Sequence, residues 1–225
     1  MISGLDWVFS LFETAIILED DCLPDQSFFP FCEELLEKYR GDNRIAYIAG
    51  ANLVEDHLRT EYSYFFSRIG GIWGWATWRL QWRRYDRNLS DWPKFKAEHL
   101  LAEIFDQPEA VEFWTGIFDA MYEKRGPNTW DYQWLYTCLR DSLLTAVSSV
   151  NLIANIGFRP DATHTTETDA RFMLTANRIE FPLRHPFSVV PLRSMDTRRV
   201  QDMISSPFIH RISRTSRRIA SRLFR

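Results

Sequence analysis

Short apolar runs alternate with longer stretches of helical periodicity along this chain, the pattern of an α/β protein. Ile2, Leu5, Val8, Phe9 and Phe12 recur at helical spacing and predict a first helix over residues 2–12. Ala15-Ile16-Ile17-Leu18 is apolar throughout, with two β-branched members, and suits a short strand buried on both faces within a parallel sheet. Cys22 to Ser27 reads as a turn into a helix, with Pro24 limiting the lead-in and Asp25 or Ser27 as N-cap. Phe28, Phe31, Cys32, Leu35, Leu36 and Tyr39 carry that helix, and Gly41 is placed to end it. Ile45 to Ala49 is a second buried strand, so strand, helix and strand are expected to form a right-handed crossover.

Glu55 to Ser63 reads as a polar loop, Tyr64-Phe65-Phe66 as a short strand, and a helix is expected from Thr77 through Trp82 and Tyr85. Between them, Gly70, Gly71 and Gly74 interleave with Trp73, Trp75 and Trp78, too glycine-rich a stretch for a helix. Asn88 to Pro93 breaks the pattern, and two amphipathic helices follow near residues 95–105 and 108–122, joined at Gln107-Pro108. After a loop over 124–128, another helix begins at Asp131 and runs through Trp134, Leu135, Cys138 and Leu139. Leu143 to Val147 and Asn151 to Ile153 are β-rich, and a polar loop with Asp161 and His164 comes next. Pro182, Pro186 and Pro191 predict an extended arm or linker over residues 169–207.

A chain of 225 residues can bury one good core, and 45% hydrophobic residues with a net charge of −3 describe an ordinary globular protein. Nine tryptophans and seventeen phenylalanines are mostly core by default, but exposed rings also offer flat faces for sugars. Cys22, Cys32 and Cys138 form an odd set without metal-ligand spacing, which points to a reducing compartment. The start lacks the basic region and continuous apolar core of a signal peptide, and no apolar run approaches the roughly 20 residues a membrane span needs. A cytoplasmic location is therefore expected.

Chemistry gathers where the first predicted strand ends in Glu19-Asp20-Asp21. Three adjacent carboxylates repel one another, so water solvates them or a hard cation such as Mg²⁺ or Mn²⁺ neutralises them, shared with substrate phosphates. An acidic loop capping the next helix is the plainer reading. Asn52 follows the second strand at another carboxyl end, as a turn residue or a substrate contact. Around Trp73 and Trp75 the glycines allow a close approach to a ligand, or simply a tight aromatic-packed turn. Arg79, Arg83 and Arg84 either meet a diphosphate or are solvated helix charges.

Ile16-Ile17-Leu18-Glu19-Asp20-Asp21-Cys22-Leu23-Pro24, with Ser27-Phe28-Phe29, resembles the metal-binding segment of GT-A nucleotide-sugar transferases. The likeness is closest to bacterial hemolytic-protein-like glycosyltransferases and more distant to the N-acetylglucosaminyltransferase I group. Three later segments resemble the same family in the same order: Gly71 to Trp78, Thr129 to Trp134, and Asn151 to Phe158 leading to Asp161-Ala162-Thr163-His164-Thr165. Together they cover roughly residues 1–168. The resemblance implies a GT-A fold with a mainly parallel sheet flanked by helices, and an inverting transfer from a nucleotide sugar to an acceptor hydroxyl. It implies Asp21 as the ligand of Mn²⁺ or Mg²⁺, with His164 as a further ligand or a diphosphate contact. It also implies Glu19, Asp20, Gly71, Trp73, Gly74 and Trp75 around the donor, where Asn52 would join them by its place at a carboxyl end, and Asp131 as general base. Read without the family, Asp131 would serve the helix dipole. The family domain begins well upstream of the first helix here, so a GT-A domain incomplete at its N-terminus is expected, with much of the nucleotide-base pocket missing.

A non-catalytic remnant or split-gene half, binding a sugar or a partner chain, is the rival of a different class. A haloacid dehalogenase-type phosphohydrolase is weaker, because that chemistry needs two aspartates two residues apart and Glu19 and Asp21 stand at that spacing. Over 208–225, Phe208, Ile209, Ile212, Ile219 and Leu223 share one helical face, while Arg211, Arg214, Arg217, Arg218, Arg222 and Arg225 take the other. Such a helix suits an anionic membrane surface, or equally a tail docked on the domain. Nucleic acid is not expected, since no recognition module accompanies the basic run.

Overall fold

The computed structural model describes residues 1–55, 58–157 and 174–205. In chain order the elements are α1 (Ile2–Leu11), β1 (Thr14–Ile17), β2 (Cys22–Pro24), α2 (Phe28–Lys38), β3 (Ile45–Ala49), β4 (Tyr64–Ser67), β5 (Trp75–Trp78), α3 (Arg79–Trp82), α4 (Trp92–Ala97), α5 (Leu100–Ile104), α6 (Pro108–Tyr122), α7 (Asp131–Arg140), β6 (Leu144–Ser148), β7 (Ile153–Asn155) and α8 (Arg193–Ile204). They fall into two compact units, one of Met1–Arg83 with Ser142–Asp196, the other of Arg84–Asp141 with the chain from Thr197 onward. Both units are discontinuous in sequence, whereas the sequence reading drew its boundaries along the chain at residues 168 and 207.

In the first unit, five strands form a sheet in the order β1-β5-β3-β6-β4. Only β3 and β6 pair in parallel; β1 with β5, β3 with β5, and β4 with β6 are antiparallel. This α/β sheet is therefore mostly antiparallel, not mainly parallel as expected. The expected crossover still leaves β1 and β3 pointing the same way, because β5 inserts between them and runs against both. Cys22–Pro24 is likewise a strand instead of a turn, pairing antiparallel with β7 in a small second sheet. The segment after Gly74 continues as strand through Trp78 before the short α3, so the helix expected from Thr77 starts two residues later.

Side-chain alternation along the strands sorts the core into two layers. On one face, Phe28, Phe31, Cys32, Leu35 and Leu36 of α2 pack on Ile48, Phe66, Ala76 and Ala146. Trp78 donates its indole N–H to the Leu36 carbonyl at 3.2 Å, which ties helix to sheet. On the other face, Trp75 stacks edge-on with Tyr47 at 5.7 Å and lies 6.3 Å from Trp82, which is itself 6.4 Å from Phe9 of α1. The arm of residues 174–192 runs over the α2 side, burying Ile179 and Leu183 in the core. It is held by Ser63 N–H to the Arg184 carbonyl at 2.8 Å and Leu192 N–H to the Phe66 carbonyl at 2.8 Å.

The second unit is helical. Trp92, Phe95, Phe118 and Tyr136 form its aromatic centre, with Trp92 5.3 Å from Phe118 and 5.7 Å from Tyr136. Two of its polar groups are paired at this centre: Trp92 Nε1 donates to Asp119 at 3.0 Å and Tyr136 to Asp91 at 2.7 Å. The amphipathic stretch expected over 95–105 is broken in two at His99, whose φ of 56° ends α4 and starts α5.

Candidate functional site

Because β1, β3 and β6 point the same way, their carboxyl ends share one edge of the sheet, and antiparallel β5 begins there. Four loops meet along it: Leu18 to Asp21 after β1, Gly50 to Asn52 after β3, Gly71 to Gly74 before β5, and Ser149 to Asn151 after β6. Main-chain bonds stitch them together. Gly50 N–H donates to the Gly74 carbonyl at 2.8 Å, Leu152 N–H to the Gly50 carbonyl at 2.9 Å, and Asp25 N–H to the Leu152 carbonyl at 2.9 Å.

The acidic segment is a tight turn closed by Cys22 N–H on the Glu19 carbonyl at 3.1 Å. β2 then pairs with β7, and Ile156 N–H bonds the Asp21 carbonyl at 2.8 Å. Glu19 and Asp21 are half-buried and Asp20 is exposed. Burial, and then the Asp21 charge, push the Cys22 thiol up to about 12, so it stays protonated and sits 3.5 Å from Asp21 Oδ1 as a weak donor. Two glycines brace the turn. A Cβ on Gly157 would fall 2.3 Å from Asp21 Oδ2; one on Gly74, at φ +60°, would fall 2.4 Å from Ile153 Cδ1 and 3.2 Å from Leu18 Cδ2. A side chain at Gly157 would displace the Asp21 carboxylate, and one at Gly74 would meet Ile153 in a backbone conformation that disfavours it. Asp25 closes the segment by accepting Ser27 N–H at 2.8 Å and Ser27 Oγ at 2.6 Å, contacts that hold its carboxyl below the usual range.

Among the expected donor-side residues, Gly71 and Trp73 are half-buried at this edge, with Trp73 resting against the core. Trp75 is different: it is fully buried in β5 and supports the sheet instead of facing a ligand. Asn52 is also fully buried, its Nδ2 donating to the carbonyls of Ser148 at 2.9 Å and Ser149 at 3.0 Å while its Oδ1 accepts Val54 N–H at 3.0 Å. Its amide is consumed inside the protein, which fits the turn-residue reading.

Asn151, which the sequence reading passed over as a strand residue, holds the edge from the other side. It is 1% exposed, accepts Asn52 N–H at 3.1 Å, and donates from Nδ2 to the carbonyls of Ile153 at 2.7 Å and Thr175 at 2.8 Å. Glu55 accepts the Asn151 N–H at 2.9 Å. An asparagine opening an apolar run was the available signal, since a buried amide must bond its surroundings.

Asp131 belongs to the second unit, at the first position of α7. It accepts a hydrogen bond from Thr129 Oγ1. Burial raises its pKa, opposed by the Thr129 hydroxyl and by the N–H groups of Asp131 and Tyr132 at the helix start. His164 lies outside the described residues, as does the basic stretch 208–225. Among the described residues no three or more His, Cys, Asp or Glu side chains cluster for a metal. Glu19 and Asp21 are two half-buried carboxylates two residues apart in the turn, and a hard cation in general needs only one or two carboxylates when water and substrate phosphate complete its shell. No helix among the described residues is long and apolar enough to cross a membrane.

No protein-family model matches the chain, and no curated protein matches it.

Proposed function

We propose that the chain is the glycosyltransferase part of a metal-dependent, inverting enzyme that moves a sugar from a nucleotide-sugar donor to an acceptor hydroxyl. The observation that carries this reading is the acidic turn at the shared carboxyl edge, the place where open α/β sheets bind ligands, with Gly74 and Gly157 packed closely against it. The ordered resemblance of four segments to GT-A transferases supplies the chemistry.

In this proposal Asp21 holds Mn²⁺ or Mg²⁺, and Glu19 and Asp20 meet hydroxyls of the donor. The half-buried Trp73 offers a flat face to the sugar, and the close packing at Gly71 and Gly74 keeps the backbone low beneath it. When bound, the ion neutralises charge on the departing diphosphate. In the second unit Asp131 is the general base: a carboxylate whose pKa is raised by burial is a better proton acceptor than a solvated one. His164 is the proposed further ligand, and the basic stretch 208–225 a peripheral contact to anionic lipid. Trp75 and Asn52 are left as structural.

Calorimetric titration of Mn²⁺ into the wild-type protein and Asp21→Ala tests the reading. Binding is expected in the first and lost in the second; equal binding by both would remove Asp21 from the site.

A further inference from the structure

Four polar side chains form one hydrogen-bonded row between the arm and the domain beneath it. His185 of the arm stands 3.2 Å from the Glu34 carboxylate of α2 through Nε2, and 3.0 Å from the Tyr64 hydroxyl of β4 through Nδ1. The Tyr64 hydroxyl in turn lies 2.5 Å from that of Tyr39, at the end of α2. Glu34 and His185 keep partial exposure, whereas Tyr39 and Tyr64 are buried in the core with Ile179 and Leu183 of the same arm. Burial raises the pKa of both phenols, so each keeps its proton.

The partners fix where each proton sits. A carboxylate only accepts, so Nε2 carries the hydrogen that Glu34 takes, and in a neutral ring Nδ1 is then an acceptor. Tyr64 must donate to Nδ1, which leaves the Tyr64 oxygen to accept from Tyr39. Every proton along Tyr39, Tyr64, His185 and Glu34 thus has one acceptor. A second proton on the ring breaks the row. Nδ1–H would point at Tyr64, Tyr64 would have to turn its own hydrogen toward Tyr39, and the Tyr39 hydroxyl would lose its acceptor, because Tyr64 is its one hydrogen-bond partner among the described residues. A buried donor without a partner is costly.

We propose that this row is a proton-operated latch, which holds the arm on the domain while His185 is neutral and loosens it when the ring takes up a proton. The charges around the ring act in the same direction. Glu34 favours a positive ring, but burial first and Lys38, one turn further along α2, second outweigh it and hold the ring below its ordinary pKa of 6.5. Arg184, next to it on the arm, is exposed. A ring whose pKa is lowered in the seated arm takes up its proton more readily once the arm lifts, so the latch is complete above about pH 6.5 and fails as pH falls below that value. It controls the loop edge described above: Asn177 N–H of the arm donates to the Asn151 carbonyl at 2.6 Å, Asn151 Nδ2 to the Thr175 carbonyl at 2.8 Å, and Ile179 N–H to Ser27 Oγ at 3.1 Å. Lifting the arm unties Asn151 and Ser27 and exposes Ile179 and Leu183. The latch does not depend on the glycosyltransferase reading.

Ring nitrogen NMR and amide hydrogen exchange on the same protein test it. At about pH 7.5 the His185 ring should be the neutral Nε2–H tautomer, and it should titrate below 6.5. Ser63 N–H and Arg184 N–H, which pin the arm by bonds of 2.8 Å to the Arg184 carbonyl and 2.9 Å to Ser63 Oγ, report its seating. Their protection factors should fall several-fold between about pH 7.5 and 5.5, toward the limit of about 10-fold that one ring titrating at 6.5 when released can supply, while the amides of β3 in the middle of the sheet keep theirs. His185→Asn sets an amide oxygen where Nδ1 accepts and cannot be protonated in this range, so its arm protection should be the same at both pH values. An Nδ1–H tautomer, titration at or above 6.5, unchanged arm protection in wild type, or an equal loss in His185→Asn would each overturn the latch. If His185→Asn does not fold, the tautomer, titration and arm protection of the wild-type protein decide.

Discussion

Gly74→Ala tests whether the acidic turn is held by packing. At φ +60° an L-residue costs about 1–2 kcal/mol, and the added methyl would meet Ile153 at 2.4 and 2.7 Å, an overpacking that costs about 1–3 kcal/mol. The two together come to about 2–5 kcal/mol, a large share of a typical stability of about 5–15 kcal/mol. For a chain of this size each kcal/mol moves Tm by about 2–4 °C, so a fall of about 4–20 °C is expected. Urea unfolding followed by tryptophan fluorescence measures it. Gly4→Ala is the control in the same unit, because its new methyl meets nothing within 4 Å and sits within α1, where alanine should stabilise by about 0.5–1 kcal/mol. The methyl on Gly74 would also press on Leu18, one residue before Glu19, so Mn²⁺ affinity should fall as well. A Gly74→Ala protein within about 0.5 kcal/mol of wild type would show that the loop yields freely and that the turn is not preset.

Asp131→Asn in an active form of the enzyme should lower kcat by about 10²- to 10⁴-fold while Tm changes little, as for a lost general base; a few-fold effect on kcat with a loss of about 0.3–1 kcal/mol would leave only the helix-dipole role. Asp196, buried against Ser67 Oγ at 2.6 Å and Arg68 N–H at 3.1 Å, has its pKa raised from 3.8 by burial in spite of these partners. A raised folded pKa contributes stability below about pH 4 that is lost as pH rises through the folded value, so wild type should gain on Asp196→Asn as pH falls from 7 to 4; urea unfolding across that range showing the opposite slope would mean the Arg68 ion pair dominates. Deleting residues 208–225 should abolish co-sedimentation with anionic liposomes, to which six arginines would contribute at most about 1 kcal/mol each; unchanged sedimentation would rule the tail out as the contact.

Much of the element list was legible in the order of residues, because helices and turns are local. The spacing of Phe28, Phe31, Cys32, Leu35 and Leu36 marks the buried face of α2, Gln107-Pro108 marks the start of α6, and Asp131 opens α7 as its position implied. The acidic turn was legible for the same reason: an apolar run that ends in three acids puts them at the end of a strand whatever that strand pairs with. Pairing was another matter. Ala15-Ile16-Ile17 and Ile45 to Ala49 read as the two strands of a crossover in a parallel sheet, but nothing in them announces that antiparallel Trp75–Trp78 lies between, because an apolar strand carries no mark of its partner and the choice is made by contacts distant in sequence. Trp73 and Trp75 look alike in a glycine-rich stretch, and only the pleat decides that Trp75 enters the core against Tyr47 while Trp73 stays half exposed. Asn52 and Asn151 lock the loops to each other across about a hundred residues of chain, through side-chain amides whose partners the fold alone brings within bonding distance.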